Sequence, residues 1–184
     1  GCTATVNVVV SEPALFSVVA NELMPVSCNG LADGSAEAVT TNGFTPFVYS
    51  WSNNATTANI TDVAGTYTVT VTDAHGCTAN ASVIITESIT LSVTLASITP
   101  YNGFNVSCFD AIDGTISTTV VGGVGNYTYA WSNSESTADI TNAAVGNNSV
   151  TVTDDNGCSA SASIVLTSTT AFSAVGSVTS DYSG

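Results

Sequence analysis

No lysine and no arginine occur in this 184-residue chain, against 14 Asp and Glu residues, so the formal net charge at pH 7 is −14. Neutralising nucleic-acid phosphates takes Lys or Arg, so nucleic-acid binding is excluded. An anionic membrane surface disfavours the chain for the same reason. Every trypsin-type cleavage site is missing as well. Charged residues make up 8% of the chain, where an average soluble domain carries roughly a quarter. Long apolar runs are also absent. The longest covers residues 14–20 and is interrupted by Ser17, well short of the ~18 to 20 apolar residues of a membrane span. Membrane insertion is not expected. There is one histidine, His75. No CxxC or Cys/His cluster offers a zinc site, and no GxGxxG or P-loop offers a phosphate cradle. No base recurs beside a Ser or Thr, and no cation can stabilise an oxyanion. Catalysis is therefore not expected.

What the chain does have is repetition. Residues 26–86 read VSC…DGS…YSWSN…TTANIT…GTYTVTVTDAHGCTANASVIIT, and residues 106–167 read VSC…DGT…YAWSN…STADIT…VTVTDDNGCSASASIVLT. Trp51 and Trp131 correspond at an offset of 80, and one extra residue near Val145 makes Cys77 and Cys158 correspond at 81. The opening Gly1-Cys2-Thr3-Ala4 repeats the Gly76-Cys77-Thr78-Ala79 phrase. The closing Ala171-Phe172-Ser173 matches the start of a unit around Phe16-Ser17. A fixed period decides architecture before anything else does. The expectation is a window on a longer tandem array. Residues 1–13 would be the last strand of a preceding repeat, 14–88 and 89–168 two full repeat domains, and 169–184 the first strand of a following one.

Five cysteines fall at 2, 28, 77, 108 and 158. Cys28 and Cys77 occupy the same places in the first unit as Cys108 and Cys158 in the second. The simplest pairing is Cys28–Cys77 and Cys108–Cys158, one bridge inside each unit, with Cys2 unpaired by truncation. Each bridge would close a loop of about 50 residues, worth about 4 kcal/mol in the chain-entropy model. That would be large for a domain of ~80 residues with a small core. Disulfides imply an oxidising, extracytoplasmic compartment.

The secondary structure reads as all-β. Thr66, Thr68, Thr70 and Thr72 alternate strictly with Tyr67, Val69 and Val71, which is the period of a half-buried strand. Further strands are expected at 15–20, 35–41, 47–51, 58–61 and 78–86. Turn signals lie between them at Asn29-Gly30, Asp33-Gly34, Asn42-Gly43, Asn53-Asn54, Ala64-Gly65 and His75-Gly76. Short strands at this spacing suggest a β-sandwich of about seven strands per unit, with Trp51 or Trp131 in each core. The linker Glu87-Ser88-Ile89 is short, so successive domains are expected to abut end to end as a rod.

The ordered phrases at residues 26–35, 49–57, 60–73 and 76–87, with their second copies, resemble the SprB repeat of large cell-surface proteins of gliding and other Bacteroidota. The resemblance implies an adhesin exported by the type IX secretion system and displayed as a filament at the extracellular surface. The TYTVTVTD…G phrase is also similar to polycystic-kidney-disease and other immunoglobulin-like modules. Two departures of the second copy from the first bear on the fold. Asn148 replaces Tyr67, and Phe109-Asp110 replaces Asn29-Gly30. If Tyr67 makes a tyrosine-corner hydrogen bond, the second unit is expected to lack it.

Candidate sites are few. His75 is replaced by Asn156 in the sister unit, which marks a turn residue. Calcium is the one cofactor to weigh. Asp33 and Asp113 recur before Gly, and Asp73 and Asp154 recur at the end of the long strand, all as oxygen ligands. Asp before Gly is equally good turn chemistry. The Thr ladder at 66–72 could face a crystal surface, or simply be a solvated strand face. Six sequons, at Asn54, Asn59, Asn80, Asn105, Asn126 and Asn147, have the N-glycosylation form. Phe44, Phe47, Phe104 and Phe109 are the aromatics that a glycan- or surface-binding loop would use. The expected partners are neighbouring repeats, with surface glycans or other copies of the filament as further possibilities.

Overall fold

The computed structural model describes residues 1–177, so residues 178–184 of the expected following strand lie outside the described residues. The chain divides into two units, Gly1–Ser88 and Ile89–Gly184. In the first, β1 (Ser17–Met24), β2 (Gly34–Thr41) and β4 (Asn59–Asp62) form one antiparallel sheet in the order β1-β2-β4. β3 (Val48–Trp51), β5 (Gly65–Thr72) and β6 (Thr78–Ile85) form the other, in the order β3-β5-β6. In the second unit β7 (Ser92–Ser97), β8 (Gly114–Val121) and β10 (Ile140–Ala143) repeat the first sheet. β9 (Tyr127–Trp131), β11 (Gly146–Asp154) and β12 (Ser159–Leu166) repeat the second.

The alternation along β5 decides which face is buried. Tyr67, Val69 and Val71 point into the core, while Thr66, Thr68 and Thr70 face solvent. They meet Val18, Ala36, Ala38 and Ile60 of the opposite sheet, with Trp51, Val83 and Ile85 of their own. Val150 and Val152 of β11 do the same against Ile116, Ile140 and Ala143, with Trp131 and Leu166 alongside. Each unit is thus a β-sandwich on a single core. Each fully buried Val, Ile or Leu contributes roughly 1.5–3 kcal/mol. The indole Nε1 of Trp51 donates to the Thr57 carbonyl at 2.9 Å, and that of Trp131 to the Thr137 carbonyl at 2.8 Å. Both rings are buried without leaving a donor unpaired.

One expectation needs correction. Six strands form per unit, where about seven were expected. After β1, Pro25 has no N–H to continue a ladder, and Val26 makes only an isolated parallel bridge to Glu87. Residues 1–13 carry no strand here.

The equivalence of Tyr67 and Asn148 also comes out differently. The Tyr67 hydroxyl donates to the Val63 carbonyl at 2.9 Å, four residues back, which is a tyrosine corner. Asn148 is equally buried, and its amide Nδ2 donates to the Ala144 carbonyl at 2.8 Å, also four residues back, and to Gly146 at 3.2 Å. The second unit keeps the hydrogen bond and changes only the donor.

Candidate functional site at the poles of each unit

Each sandwich has two distinct ends. In the first unit the chain enters where Ser17 pairs with Thr41 and Thr72 pairs with Thr78. This pole is organised by Asp73, whose side chain is only 5% exposed. Its Oδ1 accepts the backbone N–H of His75 at 2.9 Å and of Cys77 at 2.8 Å, and its Oδ2 accepts that of Phe44 at 3.2 Å. One carboxylate therefore closes the β5–β6 turn and ties the β2–β3 loop to it. Burial acts against its charge, but the N–H groups of Cys77, Phe44 and His75 outweigh burial and hold its pKa below the ordinary value. Asp154 does the same in the second unit. Its Oδ1 takes the N–H of Asn156 at 3.0 Å and of Cys158 at 2.9 Å, and its Oδ2 takes Val124 at 2.9 Å. Its pKa is likewise lowered against the effect of burial by the N–H groups of Val124, Cys158, Asn156 and Gly157. His75 and Asn156 contribute the same backbone N–H to the same turn, so the imidazole is not what the position requires.

The opposite pole is where the chain leaves. Val26 N–H donates to the Thr86 carbonyl at 2.8 Å, and Gly30 N–H donates to Glu87 Oε2 at 3.2 Å. Asp33 caps this loop by accepting the backbone N–H of Ser27 at 3.0 Å and the Ser27 hydroxyl. The side-chain bond and then the backbone bond from Ser27 lower its pKa. Asp113 accepts Ser107 N–H at 3.1 Å, and the Tyr101 hydroxyl lies 3.4 Å away. Ser107 lowers its pKa in the same way. In this unit Asn105 and Val106 N–H groups reach the Thr167 carbonyl at 3.0 and 3.4 Å.

This geometry answers the calcium expectation. Asp33 and Asp73 lie at opposite poles of one unit, as do Asp113 and Asp154 of the other. Each carboxylate is engaged by N–H or O–H donors. Among the described residues no three His, Cys, Asp or Glu side chains converge as a metal site would require.

The intradomain disulfides are overturned as well. Cys77 and Cys108 are free, exposed thiols, as is Cys2. Cys77 precedes β6, whereas Cys28 follows the Val26 bridge to Glu87, beyond the far end of β6. Eight strand residues at ~3.3 Å each separate the two ends by roughly 25 Å, against the ~7 Å that a disulfide tolerates between Cα atoms. Cys158 precedes β12, and Cys108 lies beyond its far end beside Thr167. Sequence equivalence shows that the pairs occupy the same two places. It does not show that those places face each other.

The four loop aromatics do not assemble one platform. Phe47 stacks on Phe16 with ring centroids 5.6 Å apart and packs against the first core. Phe44 is exposed but stands edge-on to His75 at 4.2 Å. Phe104 is half-buried in a bridge with Tyr101, and Phe109 is exposed on the exit loop of the second unit. At the entry pole of the first unit an apolar cavity of about 260 Å³ is lined by Leu15, Phe16, Gly43, Phe44 and Cys77 among others.

A C-terminal fragment of intimin, crystallised with the intimin-binding domain of its translocated receptor, is similar to the chain at 16% identity and TM-score 0.41, over 81% of this chain and 62% of that one. A tetra-tandem repeat from the extending region of a large adhesion protein is similar at 16% identity and TM-score 0.28, over 83% of this chain and 50% of that one. The chain thus spans 62% and 50% of the length of these two structures. No curated protein matches the chain. The family model described as SprB repeat matches residues 20–56 and 104–136. The first match runs from β1 through the turn after Trp51, and the second runs from Phe104 through the turn after Trp131. The two matched stretches, one in each unit, are thus similar to the SprB repeat.

Proposed function

We propose that the chain is a stretch of stalk in an extracellular surface adhesin, whose sandwich repeats supply reach and stiffness. The observation that carries this reading is the position of entry and exit in each unit. The chain enters the first unit beside Gly43 and Asp73 and leaves it beside Val26, with the whole of β6 between. That advances the chain by roughly 25 Å per unit, and a series of such units gains length with every copy. The SprB match supports placement in a surface adhesin of the gliding-motility kind, exported and displayed as a filament. Neighbouring repeats are then the first partners, with other copies of the filament or surface glycans as outer ones. In this reading the role is mechanical and adhesive, not enzymatic.

Small-angle scattering on the full chain tests the stalk. A compact globule of this length has a radius of gyration of ~16 Å. A clearly larger value with an elongated distance distribution is expected, and a value near the compact figure would overturn the reading.

A further inference from the structure

The cavity of about 260 Å³ at the entry pole of the first unit joins apolar walls to one carboxylate. Leu15, Phe16, Gly43 and Phe44 supply the walls, and Asp73 supplies the charge. That carboxylate has hydrogen-bonding capacity to spare. Its Oδ1 accepts two backbone N–H groups, from His75 and Cys77, and its Oδ2 accepts one, from Phe44. Each carboxylate oxygen offers about two acceptor sites, so Oδ2 has room for one more donor. The same N–H groups hold its pKa below the ordinary value, which keeps it ionised at neutral pH. Two rings stand at the cavity. Phe16 is fixed by its stack on Phe47, and the exposed ring of Phe44 stands edge-on to His75. A carboxylate and the negative faces of aromatic rings both favour a cation. Apolar walls favour a hydrocarbon stem behind it. The volume falls below the ~300–1,000 Å³ of small-molecule pockets, which suits a single side chain.

We propose that this cavity takes a lysine side chain of a partner protein, with the ammonium on Asp73 Oδ2 and the four-carbon stem against Leu15, Phe16 and Phe44. A guanidinium fits less well. Its fork matches a carboxylate with both oxygens open, and Oδ1 is already filled by two N–H groups. Another copy of this chain has no Lys or Arg to offer, so the partner is a different polypeptide with Lys on its surface. The net charge of −14 draws such a partner in from a distance. The second unit is built differently at the equivalent place. Val124 makes the N–H bond to Asp154 that Phe44 makes to Asp73, and Leu91 precedes β7 where Phe16 precedes β1. Without either ring, that pole should not hold a lysine. The site lies within one unit and stands whether or not the array is a stalk.

The test is an NMR titration of the isotope-labelled full chain with Nα-acetyl-lysine N-methylamide, at an ionic strength of about 0.15 M so that non-specific attraction is screened. The expected result is saturable movement of the backbone N–H signals of Phe44, His75 and Cys77, with a Kd on the order of 1 mM. The signals of Val124, Asn156 and Cys158 should stay in place and report any non-specific effect of a cation on an acidic chain. The norleucine analogue, which keeps the stem and lacks the ammonium, should move none of them, and the arginine analogue should bind more weakly than lysine. Asp73→Asn removes the charge but also loosens the pole, so Phe44→Leu is the cleaner variant. It keeps an apolar wall and the backbone N–H to Asp73, and it should weaken lysine binding about 2- to 30-fold. Absence of saturable movement, equal movement in both units, or norleucine or arginine binding as well as lysine would each overturn the proposal. An undiminished affinity in Phe44→Leu would overturn it too.

Discussion

Tyr67 and Asn148 reach the same acceptor by different chemistry, a phenol hydroxyl in one unit and a carboxamide in the other. The carbonyl four residues back is what the fold must satisfy, and residue type alone does not disclose that either donor will serve. Tyr67→Phe should cost the first unit about 0.5–1.5 kcal/mol, the net worth of one hydrogen bond. Asn148→Ala should cost the second about 1–3 kcal/mol, because it leaves buried carbonyls unsatisfied. Urea unfolding followed through Trp51 or Trp131, with the other Trp replaced by Phe, separates the two effects. Equal stability of Asn148→Ala and its parent would show the amide bond to be incidental. Gly34 and Gly114 carry a second hidden requirement. Each follows an Asp and so reads as a turn, yet each is the buried first residue of a strand. A Cβ on Gly34 would press into Ile85 and come within 2.8 Å of Val26 Cγ2, and one on Gly114 would come within 2.5 Å of Leu166 Cδ1. Gly34→Ala and Gly114→Ala should therefore each destabilise their unit by about 1–3 kcal/mol through overpacking. A neutral or stabilising effect in the same unfolding assay would refute the packing argument.

At the scale of elements, the strands were legible because a strand buried on one face must alternate. Tyr67, Val69 and Val71 against the Thr residues between them specify both the element and its inward face. Repetition made the same reading hold twice, and it placed Trp51 and Trp131 in equivalent cores. The poles were not legible, since periodicity records which face a residue occupies and not which end of the sandwich it reaches. Hence Cys28 and Cys77 read as partners while standing an entire strand apart, and nothing in the pattern places Asp33 and Asp73 at opposite ends of their unit. The Asp residues instead act as caps, and this has a consequence for pH. Asp33, Asp62, Asp73, Asp113 and Asp154 all have lowered pKa values in the folded chain, held there by hydrogen bonds that favour the charged form. A group whose folded pKa lies below its unfolded value of ~3.9 stabilises fully at higher pH and loses that stabilisation as pH falls through the folded pKa. The urea midpoint should be level from neutral pH to about 5 and fall below about 4. Asp73→Asn should lower the midpoint at neutral pH and weaken the acid dependence of the first unit alone. An acid limb unchanged by that substitution would place its origin elsewhere.

At the scale of the whole molecule, charge of a single sign governs behaviour. With no Lys or Arg, none of the 14 carboxylates meets a basic side chain other than His75. Nearly every long-range interaction among charged side chains is repulsive, and unfolding relieves it by moving the charges apart. Added salt shortens the Debye length from ~30 Å at about 0.01 M to ~8 Å at about 0.15 M, which removes repulsion felt most strongly by the compact state. NaCl should therefore raise the urea midpoint over this range and then level off. Proteins with mixed charges can move either way, because salt also screens their attractions. Here there is almost nothing attractive to screen, so a midpoint that falls with NaCl would contradict the argument. Divalent ions refine it. CaCl2 and MgCl2 at matched ionic strength should act alike, since screening does not distinguish them and the four candidate carboxylates are already engaged by N–H and O–H donors. A rise specific to calcium would require a binding site, and substituting Asp33, Asp73, Asp113 and Asp154 in turn would then locate it.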